Sequence, residues 1–396
     1  MDTRELCYLD NNATTRVAPE VMTAMMPFLD KFWGNASSAY SFGNQVARHV
    51  ETAREQVAAM INADPRDIVF TSCGTESTNA AINSALISQP RKRHIITTAV
   101  EHSATLNFSK TMASRGYSVT FLPVEPDGSL DLHLLAKSIR ADTAIVSVMW
   151  ANNETGVLFP VDEIAAICRS QDVLFHTDAV QVPGKLPIDV RAMKPAFLSL
   201  SAHKLHAPKG IGLLYVHKHS KFTPYMIGGQ QERGRRGGTE NVPYIIGFGR
   251  AAELAMESLD DENVRVRKLR DRLEDGLLAA IPNTVRNGSR EPRLPNTANL
   301  SFSGVESEAV LLMLDRLNIC ASGGSACTTG SMKPSHVLTA MGLKPKLAQS
   351  AVRLSLGIYN SDADVDYTLQ HLPGIIDHLR GGTSKPPVSR GTSRKC

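Results

Sequence analysis

Short apolar runs separated by amphipathic stretches dominate the chain between about Arg66 and Leu214. The runs occur in DIVFTS, RHIITTAVEH, YSVTFLPV, TAIVSVMWANN, VLFHTDAV, FLSLSAHK and GIGLLYVH, and helical patterns such as VDEIAAICRSQD lie between several of them. Continuous apolar runs joined by helices are typical of a mainly parallel sheet that is buried on both faces. The pattern therefore predicts an α/β domain.

Further elements are predicted on both sides of this region. We expect helices over 19–29 and 41–61 before it and one long, charged helix over 247–281 after it. After IPNTVRNGSREPRLPNT, the segments NLSFSG and VRLSLG, a helix over about 306–317 and a loop rich in glycine and serine indicate a smaller α+β domain. The last sixteen residues carry no apolar pattern and predict a disordered basic tail.

Composition narrows the class of protein. With 396 residues, 42% of them hydrophobic and 21% charged, the chain has the size of a globular enzyme and does not match collagen-like or wholly disordered proteins. A net charge of +4 gives no argument for a nucleic-acid partner. The start MDTRELCYLDNNATT has no apolar core, and no run of eighteen apolar residues follows, so we expect a cytoplasmic protein without signal peptide or membrane span.

Polar clusters follow five of the predicted strands: TSCGTES, AVEHSA, WANNETG, HTDAVQ and SAHKLH. Open α/β sheets bind ligands beyond the carboxyl ends of their strands, so these clusters are expected to converge on one site. Lys204 ends the run FLSLS, and a buried lysine there is a candidate for a Schiff base; a surface lysine is the alternative. Asp178 ends another run, where a carboxylate needs a cation such as a pyridinium nitrogen, or else caps a helix.

Other residues in these clusters complement a phosphorylated cofactor. Gly74 and Thr75 open a helix whose free N–H groups favour an anion, with a capping box as the alternative. His102 offers an aromatic plane or a general base. Four further candidates are Asn153 and Gln181, as donors to a ring oxygen, and Ser201 and His203, as phosphate ligands.

Two residues in the C-terminal part of the chain are candidates for chemistry on the substrate. Cys327 lies in ASGGSACTTGS, a glycine- and serine-rich loop in which an exposed thiol can act as a travelling nucleophile; a disulfide with Cys320 stays open. Arg353 alternates with apolar residues in AVRLSLG and binds either an α-carboxylate or a structural acid.

One segment is both basic and glycine-rich. GGQQERGRRGGTEN contains Arg233, Arg235 and Arg236 but no aromatic platform, which argues against nucleic acid and favours a phosphate-contacting or subunit-interface loop.

In chain order, the motifs YLDNNATT, FTSCGTES, EH, ANNETG, HTDAVQ, SAHKLHAPKG, RRGGTEN, LPNTANLSF, SGGSAC and VRLSLG resemble those of the NifS-like cysteine desulfurases, the NifS/IscS group of the class V aminotransferase family. The resemblance covers about residues 8–379. CGTES, MWANNETG and QERGRRGGTEN look most like the desulfurases of nitrogenase maturation. Gly324 stands where a serine is usual, and the tail ending in Cys396 has no counterpart.

The resemblance implies the pyridoxal-phosphate-dependent transferase fold, fold type I. We expect a large domain with a mainly parallel seven-stranded sheet flanked by helices, and a smaller α+β domain. The expected division is an N-terminal segment over 1–15 that packs with the small domain, a cofactor-binding domain over 16–258, a small domain over 259–380 that carries the Cys327 loop, and a tail over 381–396.

The resemblance also implies roles for the candidate residues. Pyridoxal 5'-phosphate would form an aldimine with Lys204, with Asp178 on its pyridinium nitrogen, Gln181 on its phenolic oxygen, His102 stacked on the ring, and Gly74, Thr75, Ser201 and His203 at the phosphate, joined by Thr239 from the partner subunit. Asn153 would also contact the cofactor. Asn153 and Arg353 would hold the substrate carboxylate, and Cys327, Lys204 and His102 would be catalytic.

The implied activity is conversion of L-cysteine to L-alanine, with the sulfur held on Cys327 as a persulfide. A homodimer without nucleic-acid or membrane partners would deliver it to an iron–sulfur scaffold protein, in nitrogenase maturation. An iron–sulfur contact at Cys327 is left open. The alternatives are a selenocysteine lyase, another class V aminotransferase, or a noncatalytic assembly scaffold.

Overall fold

The computed structural model describes residues 6–323 and 334–382. Within them, strands β1 to β13 are Cys7–Tyr8, Ile68–Thr71, His94–Thr98, Ser118–Leu122, Thr143–Ser147, Leu174–Asp178, Phe197–Ser201, Gly212–Val216, Thr284–Arg286, Thr297–Phe302, Ile319–Cys320, Ser322–Gly323 and Ala351–Ser355. Helices α1 to α13 are Pro19–Met25, Pro27–Asp30, Ser41–Met60, Gly74–Ser88, Ser103–Ser114, Leu132–Ser138, Val161–Ser170, Val190–Met193, Val242–Ala280, Ser307–Asp315, His336–Ala340, Pro345–Ala348 and Asp362–Leu379. Short 3₁₀ turns are Pro65–Asp67, Ala202–Lys204 and Gln231–Gly234.

The central sheet has seven strands in the order β2-β8-β7-β6-β5-β3-β4. The strands from β7 to β4 pair in parallel, whereas β8 is antiparallel to both β7 and β2. Six strands therefore point the same way, and their carboxyl ends meet at one edge. This confirms the expected mainly parallel, seven-stranded sheet.

Helices cover both faces of this sheet, which explains its uninterrupted apolar runs. In β8, Leu213 and Tyr215 pack with α1, α3 and the first half of α9, while Leu214 and Val216 pack on the other face with α4. Alternate residues of a strand point to opposite faces, so a strand covered on both sides has no polar alternation.

The C-terminal region builds a second core. Strands β12, β13, β10 and β9 form an antiparallel sheet, and its apolar residues pack with the second half of α9, with α10 and with α13. The N-terminal segment joins this core, because β1 pairs in parallel with β11 and Leu9 is fully buried there. The N-terminal segment therefore lies beside β13, the strand that carries Arg353.

Helix α9 links the two cores. It begins at Val242, five residues before the predicted start, and continues without interruption through residues 258 and 259, where the sequence suggested a domain boundary. The expected domain division stays a prediction. Gly249 lets α9 contact α3, because a Cβ at this position would lie 2.8 Å from the Cα atom of Ala53.

The helix predicted over 19–29 is two helices, since α1 ends at Met25 and α2 begins with Pro27. Proline lacks the N–H group that would continue a helix. No helix in the described part of the chain is long and apolar enough to cross a membrane. The four cysteines within 6–323 are free thiols. Gly324, Cys327, Cys396 and the tail from 383 onward lie outside the described residues.

Candidate active site

A cavity of about 540 Å³ opens at the edge of the sheet where the parallel strands end. Ten of the predicted site residues line it: Gly74, Thr75, His102, Asn153, Asp178, Gln181, Ser201, His203, Lys204 and Arg353. Two lie elsewhere. Thr239 is exposed in a separate hollow with Gly210 and Arg236, and Cys327 lies outside the described residues.

The strands place these side chains directly. Asp178 is the last residue of β6, and Ser201 is the last residue of β7. The 3₁₀ turn Ala202–Lys204 follows β7 at once and brings its lysine to the cavity wall. The strand-end clusters therefore converge on one cavity, because six strands of the sheet run in the same direction.

Lys204 is held by two backbone carbonyl groups. Its Nζ donates hydrogen bonds of 2.6 Å to the oxygens of both Asn12 and Ala13. Both distances lie just below the usual range for an N–H···O hydrogen bond. The amine is therefore fixed in position rather than free in solvent.

Asp178 is a buried carboxylate, 9% exposed. Its Oδ1 accepts a hydrogen bond of 3.0 Å from the Val180 N–H. Burial raises the pKa of Asp178, whereas the nearby His102 and Lys204 lower it. Among the described residues, no lysine, arginine or histidine lies within 4.0 Å as an ion-pair partner. A cation that enters the cavity would compensate this carboxylate.

Gln181 has one amide atom engaged and one unsatisfied. Its Nε2 donates to the carbonyl oxygen of Asn12 at 3.0 Å. Its Oε1 is buried and has no hydrogen-bond partner within the described residues. Buried polar atoms are rarely left unpaired, so a polar ligand in the cavity is expected to contact this amide.

The N-terminus of α4 forms the opposite wall. Gly74 is its first residue, and a Cβ there would lie 2.8 Å from Val180 Cγ2 and 3.4 Å from Ser201 Cβ. Glycine thus permits the close packing of the helix against the site. The first N–H groups of a helix have no acceptor within it and carry a partial positive charge, which suits an anion such as phosphate.

Capping of this helix does not involve Thr75. Instead, Glu76 Oε2 accepts a hydrogen bond of 2.7 Å from the Ser72 N–H, and Arg236 contacts the same carboxylate at 2.9 Å. Burial raises the pKa of Glu76, but the hydrogen bonds from Arg236 and Ser72 outweigh it, so the pKa of Glu76 is lowered. The Thr75 side chain is exposed at the cavity wall. It does not form the capping box that the sequence left as an alternative.

Among the described residues, three histidines line the cavity: His102, His203 and His336. His102 caps α5, because its Nδ1 accepts a hydrogen bond of 3.2 Å from the Ala104 N–H. In its neutral form its proton therefore lies on Nε2. Burial lowers the pKa of His203 to about 4, helped by Lys204 and Lys209. A neutral imidazole at this position can still bind an anion as a hydrogen-bond donor.

Arg353 is 1% exposed and forms the ion pair of the structural alternative, with Asp10. Its Nη2 donates to Asp10 Oδ1 at 2.7 Å and its Nη1 to the Asn153 carbonyl oxygen at 3.0 Å. Its Nε is buried without a partner among the described residues. The ion pair with Asp10 is the structural alternative, while the unsatisfied Nε leaves a donor for a carboxylate. Asn153 contributes its backbone to this arrangement.

Glu101 precedes the cavity-lining His102 and is a buried acid that the sequence analysis did not identify. It is completely buried, and its carboxylate accepts hydrogen bonds from the Met149 N–H, at 3.0 and 3.1 Å, and from Thr98 Oγ1, at 2.8 Å. Burial raises the pKa of Glu101 to about 8. Its position next to His102 in the motif EH was the only signal in the sequence.

Asp10, Asn12 and Ala13 were also missed, although the motif YLDNNATT contains them. They lie far from the strand ends along the chain, and the packing of the N-terminal segment on β13 brings Asn12 and Ala13 to the cavity and Asp10 to Arg353.

The arginines of the basic loop are bonded within the chain. Arg233 contacts Glu51 at 3.0 Å, Arg236 contacts Glu76, and Arg235 donates to the backbone oxygens of Arg66 and Ile68. These contacts hold the loop against the sheet edge at β2.

Comparison with known proteins shows clear similarity. Residues 7–368 match the family described as "Aminotransferase class-V". The cysteine desulfurase of Trichormus azollae is 52% identical over 373 residues, 94% of this chain and 93% of that protein. The cysteine desulfurase NifS of Azotobacter vinelandii is 50% identical over 374 residues, with the same coverage. A solved structure titled "NifS-like protein" is 38% identical, with a TM-score of 0.89 over 95% of this chain and 100% of that one.

Proposed function

Because the chain belongs to the class V aminotransferase family, we propose that it is a pyridoxal-phosphate-dependent cysteine desulfurase. The proposed reaction converts L-cysteine to L-alanine and leaves the sulfur on Cys327 as a persulfide. Relatives that share half of the residues over nearly the whole chain carry the name cysteine desulfurase. The structural observation that supports it most is the shared cavity of Lys204 and the buried Asp178, which forms no ion pair with a described residue.

The donors and acceptors of the cavity fit pyridoxal phosphate. Within the described residues, Asp178 forms no ion pair, and a pyridinium nitrogen would supply one. Gly74 and Thr75, the first residues of α4, line the cavity, and their N–H groups would donate to a phosphate. Gln181 lines the cavity, where the second hydrogen of its Nε2 would donate to the phenolic oxygen, and Lys204 supplies the amine. Each of these groups complements one functional group of the cofactor.

We assign Lys204 as the covalent attachment point, Asp178 to the ring nitrogen, Gln181 to the phenolic oxygen and His102 to the ring face. Gly74, Thr75, Ser201 and His203 would hold the phosphate, with Thr239 contributed by the partner subunit. When bound, the cofactor supplies a cationic conjugated ring that accepts electrons from the substrate's α-carbon.

The chain's own residues would handle the substrate at both ends. Arg353 lines the cavity and would bind the α-carboxylate, while Asp10 and the Asn153 carbonyl fix its guanidinium plane. The Lys204 amine would take the α-proton, since it is the base that lines the cavity beside Asp178. His102 would carry its proton on Nε2 and thus act as a donor.

Cys327 is proposed as the sulfur acceptor. Its thiolate would attack the substrate sulfur, so that a sulfur–sulfur bond forms while the carbon–sulfur bond breaks. The electron pair of that bond stays with the carbon, which takes up a proton to give alanine. The persulfide would then pass to an acceptor protein, which we propose is an iron–sulfur scaffold. The name NifS of one relative supports nitrogenase maturation as the pathway.

The test compares the wild-type protein with Cys327→Ala and, as a matched control, Cys320→Ala, which removes a free thiol seven positions earlier. Each protein is checked for bound cofactor by its visible spectrum and then given L-cysteine, and alanine and sulfide are measured together. We expect both products from wild type and Cys320→Ala, and a loss of both from Cys327→Ala.

Two results would contradict the proposal. Equal product formation by Cys327→Ala would exclude a persulfide on this residue, and selenocysteine and amino-acceptor substrates would then separate the lyase and aminotransferase alternatives. The noncatalytic scaffold would be favoured if the wild-type protein bound no pyridoxal phosphate and the Lys204→Ala variant had the same visible spectrum and product yields as wild type.

A further inference from the structure

Asn12 lines the cavity and is buried, with only 1% of its surface exposed. Its side chain forms three hydrogen bonds with neighbours from two other segments. Its Nδ2 donates to the Asn153 carbonyl oxygen at 3.1 Å and to Thr297 Oγ1 at 2.8 Å. Its Oδ1 accepts from Asn296 Nδ2 at 3.0 Å. The side chain therefore fixes the backbone of its own residue.

That backbone is what holds the lysine. The carbonyl oxygen of Asn12 accepts from both Lys204 Nζ, at 2.6 Å, and Gln181 Nε2, at 3.0 Å. Its N–H donates to Ser355 Oγ at 3.0 Å. One peptide carbonyl thus places two of the groups that we assign to the cofactor.

The carbonyl pair also orients the amine. Nζ has three positions besides its carbon, and two of them carry hydrogens that point to the oxygens of Asn12 and Ala13. The direction of the third position, which carries a proton in the charged form and the lone pair in the neutral form, is thereby set. A nucleophile or base held in one orientation reacts faster than one that must search for it.

Asn12 also shares a hydrogen-bond partner with Arg353, the residue that we assign to the substrate carboxylate. The Asn153 carbonyl oxygen accepts from Asn12 Nδ2 and also from Arg353 Nη1, at 3.0 Å. A shift of Asn12 would therefore move a contact of the arginine as well as the support of Lys204.

We propose that Asn12 is a positioning residue of this site, which sets the placement of the Lys204 amine and the Gln181 amide. The proposal rests on the proposed function, in which Lys204 carries pyridoxal phosphate. Asn12 itself performs no bond-making step. It acts through the carbonyl groups to which the lysine and the glutamine amide are bonded.

The neighbouring residue provides a matched control. Asn11 is also buried, at 6% exposure, and its Nδ2 donates to the oxygens of Tyr8, Ser355 and Asn360. None of these four described residues lines the cavity. Removing the Asn11 side chain therefore costs stability in the same turn but leaves the support of Lys204 in place.

The experiment uses apoprotein of wild type, Asn12→Ala, Asn12→Asp and Asn11→Ala. Pyridoxal phosphate is added at several pH values, and the rate at which the lysine-linked absorbance appears is recorded with its pH midpoint. We expect Asn12→Ala to slow this association about ten- to a hundredfold, because a reacting group is misplaced. Asn12→Asp keeps the acceptor for Asn296 but loses the donor to Asn153, and is expected to be slowed as well.

Asn11→Ala should stay within about twofold of wild type in association rate, although its melting temperature falls. The positioning role is wrong if Asn12→Ala matches wild type, or if Asn11→Ala is slowed equally. If Asn12→Ala does not fold, Asn12→Asp decides between these results. A wild-type protein that takes up no cofactor would instead refute the proposed function, and the positioning role with it.

Discussion

Asp10 and Arg353 are 343 positions apart in the chain, yet Asp10 Oδ1 accepts a hydrogen bond of 2.7 Å from Arg353 Nη2. Asp10 also accepts from Ser322 Oγ at 3.1 Å, on the strand beside β13. The arginine is thus held on one side by a carboxylate and on another by a peptide carbonyl, while no described residue pairs with its Nε. These contacts fix the guanidinium plane of a residue that lines the cavity.

Replacement of Arg353 by lysine should impair substrate binding. An ammonium group cannot contact Asp10, the Asn153 carbonyl and a substrate carboxylate in the fixed planar geometry of a guanidinium group. For Arg353→Lys we expect the KM for cysteine to rise about tenfold or more, with a smaller change in kcat. Alanine formation over a range of cysteine concentrations measures both. Arg272→Lys, which alters an exposed ion pair with Asp362, should leave both constants unchanged.

Replacement of Asp178 by asparagine should weaken cofactor binding and slow turnover about a hundredfold or more, because the buried carboxylate is the proposed partner of the ring nitrogen. The apoprotein should not lose stability at pH 7, since burial raises the pKa of Asp178 and its charge is unfavourable there. Cofactor retention, turnover and urea unfolding of the apoprotein test this. Asp189→Asn, at an exposed helix cap, should retain the cofactor, and full cofactor affinity in Asp178→Asn would contradict the assignment.

Glu101 should make stability depend on pH. Its pKa is raised to about 8 by burial, so between about pH 4.5 and 8 the native protein binds a proton that the unfolded chain releases. Its contribution to stability is therefore present at low pH and lost as the pH rises towards 8. A tenfold difference in proton affinity between the folded and unfolded chain is worth about 1.4 kcal/mol, so Glu101→Gln should reduce this decline in the free energy of unfolding by a few kcal/mol.

Urea unfolding of the apoprotein at pH 5, 6, 7 and 8 measures the slope for wild type, Glu101→Gln and the control Glu125→Gln, whose side chain is exposed. We expect the exposed variant to keep the wild-type slope. Parallel curves for wild type and Glu101→Gln would show that Glu101 is ionised in the native protein.

His176 should have the opposite effect on the pH dependence of stability, because it lowers the free energy of unfolding at acidic pH. It is fully buried between Ser147 Oγ and Ser199 Oγ, each at 2.8 Å, and burial lowers its pKa to about 3. The unfolded chain takes up a proton below about pH 6.5 that the native protein does not, so stability falls as the pH drops. At pH 5 this loss is about 2 kcal/mol relative to neutral pH.

His176→Gln removes this proton uptake. Any stability lost through altered packing is the same at every pH, so it cancels in the difference between two pH values. The difference in unfolding free energy between pH 7 and pH 5 should therefore be smaller in His176→Gln than in wild type. His133→Gln, at an exposed helix position, should retain the wild-type difference. An equal difference in all three proteins would show that His176 does not control acid stability.

The sequence determined those features that depend on neighbouring residues. Apolar runs such as FLSLS and GLLYV predict strands because every residue of a strand covered on both faces is buried. The polar residues that follow these runs, such as Asp178 and Lys204, then had to share one edge of the sheet. Motifs along the whole chain also identified the family, since they occur in its order.

Only the tertiary structure decided which distant groups meet. The support of Lys204 by Asn12, the pairing of Asp10 with Arg353, and the burial that raises the pKa of Glu101 all depend on how separate segments pack. A hydrogen-bond partner hundreds of positions away leaves no local pattern in the chain. Burial depends in the same way on every element that surrounds a residue, so strand ends predicted the cavity but not the contacts that orient its side chains.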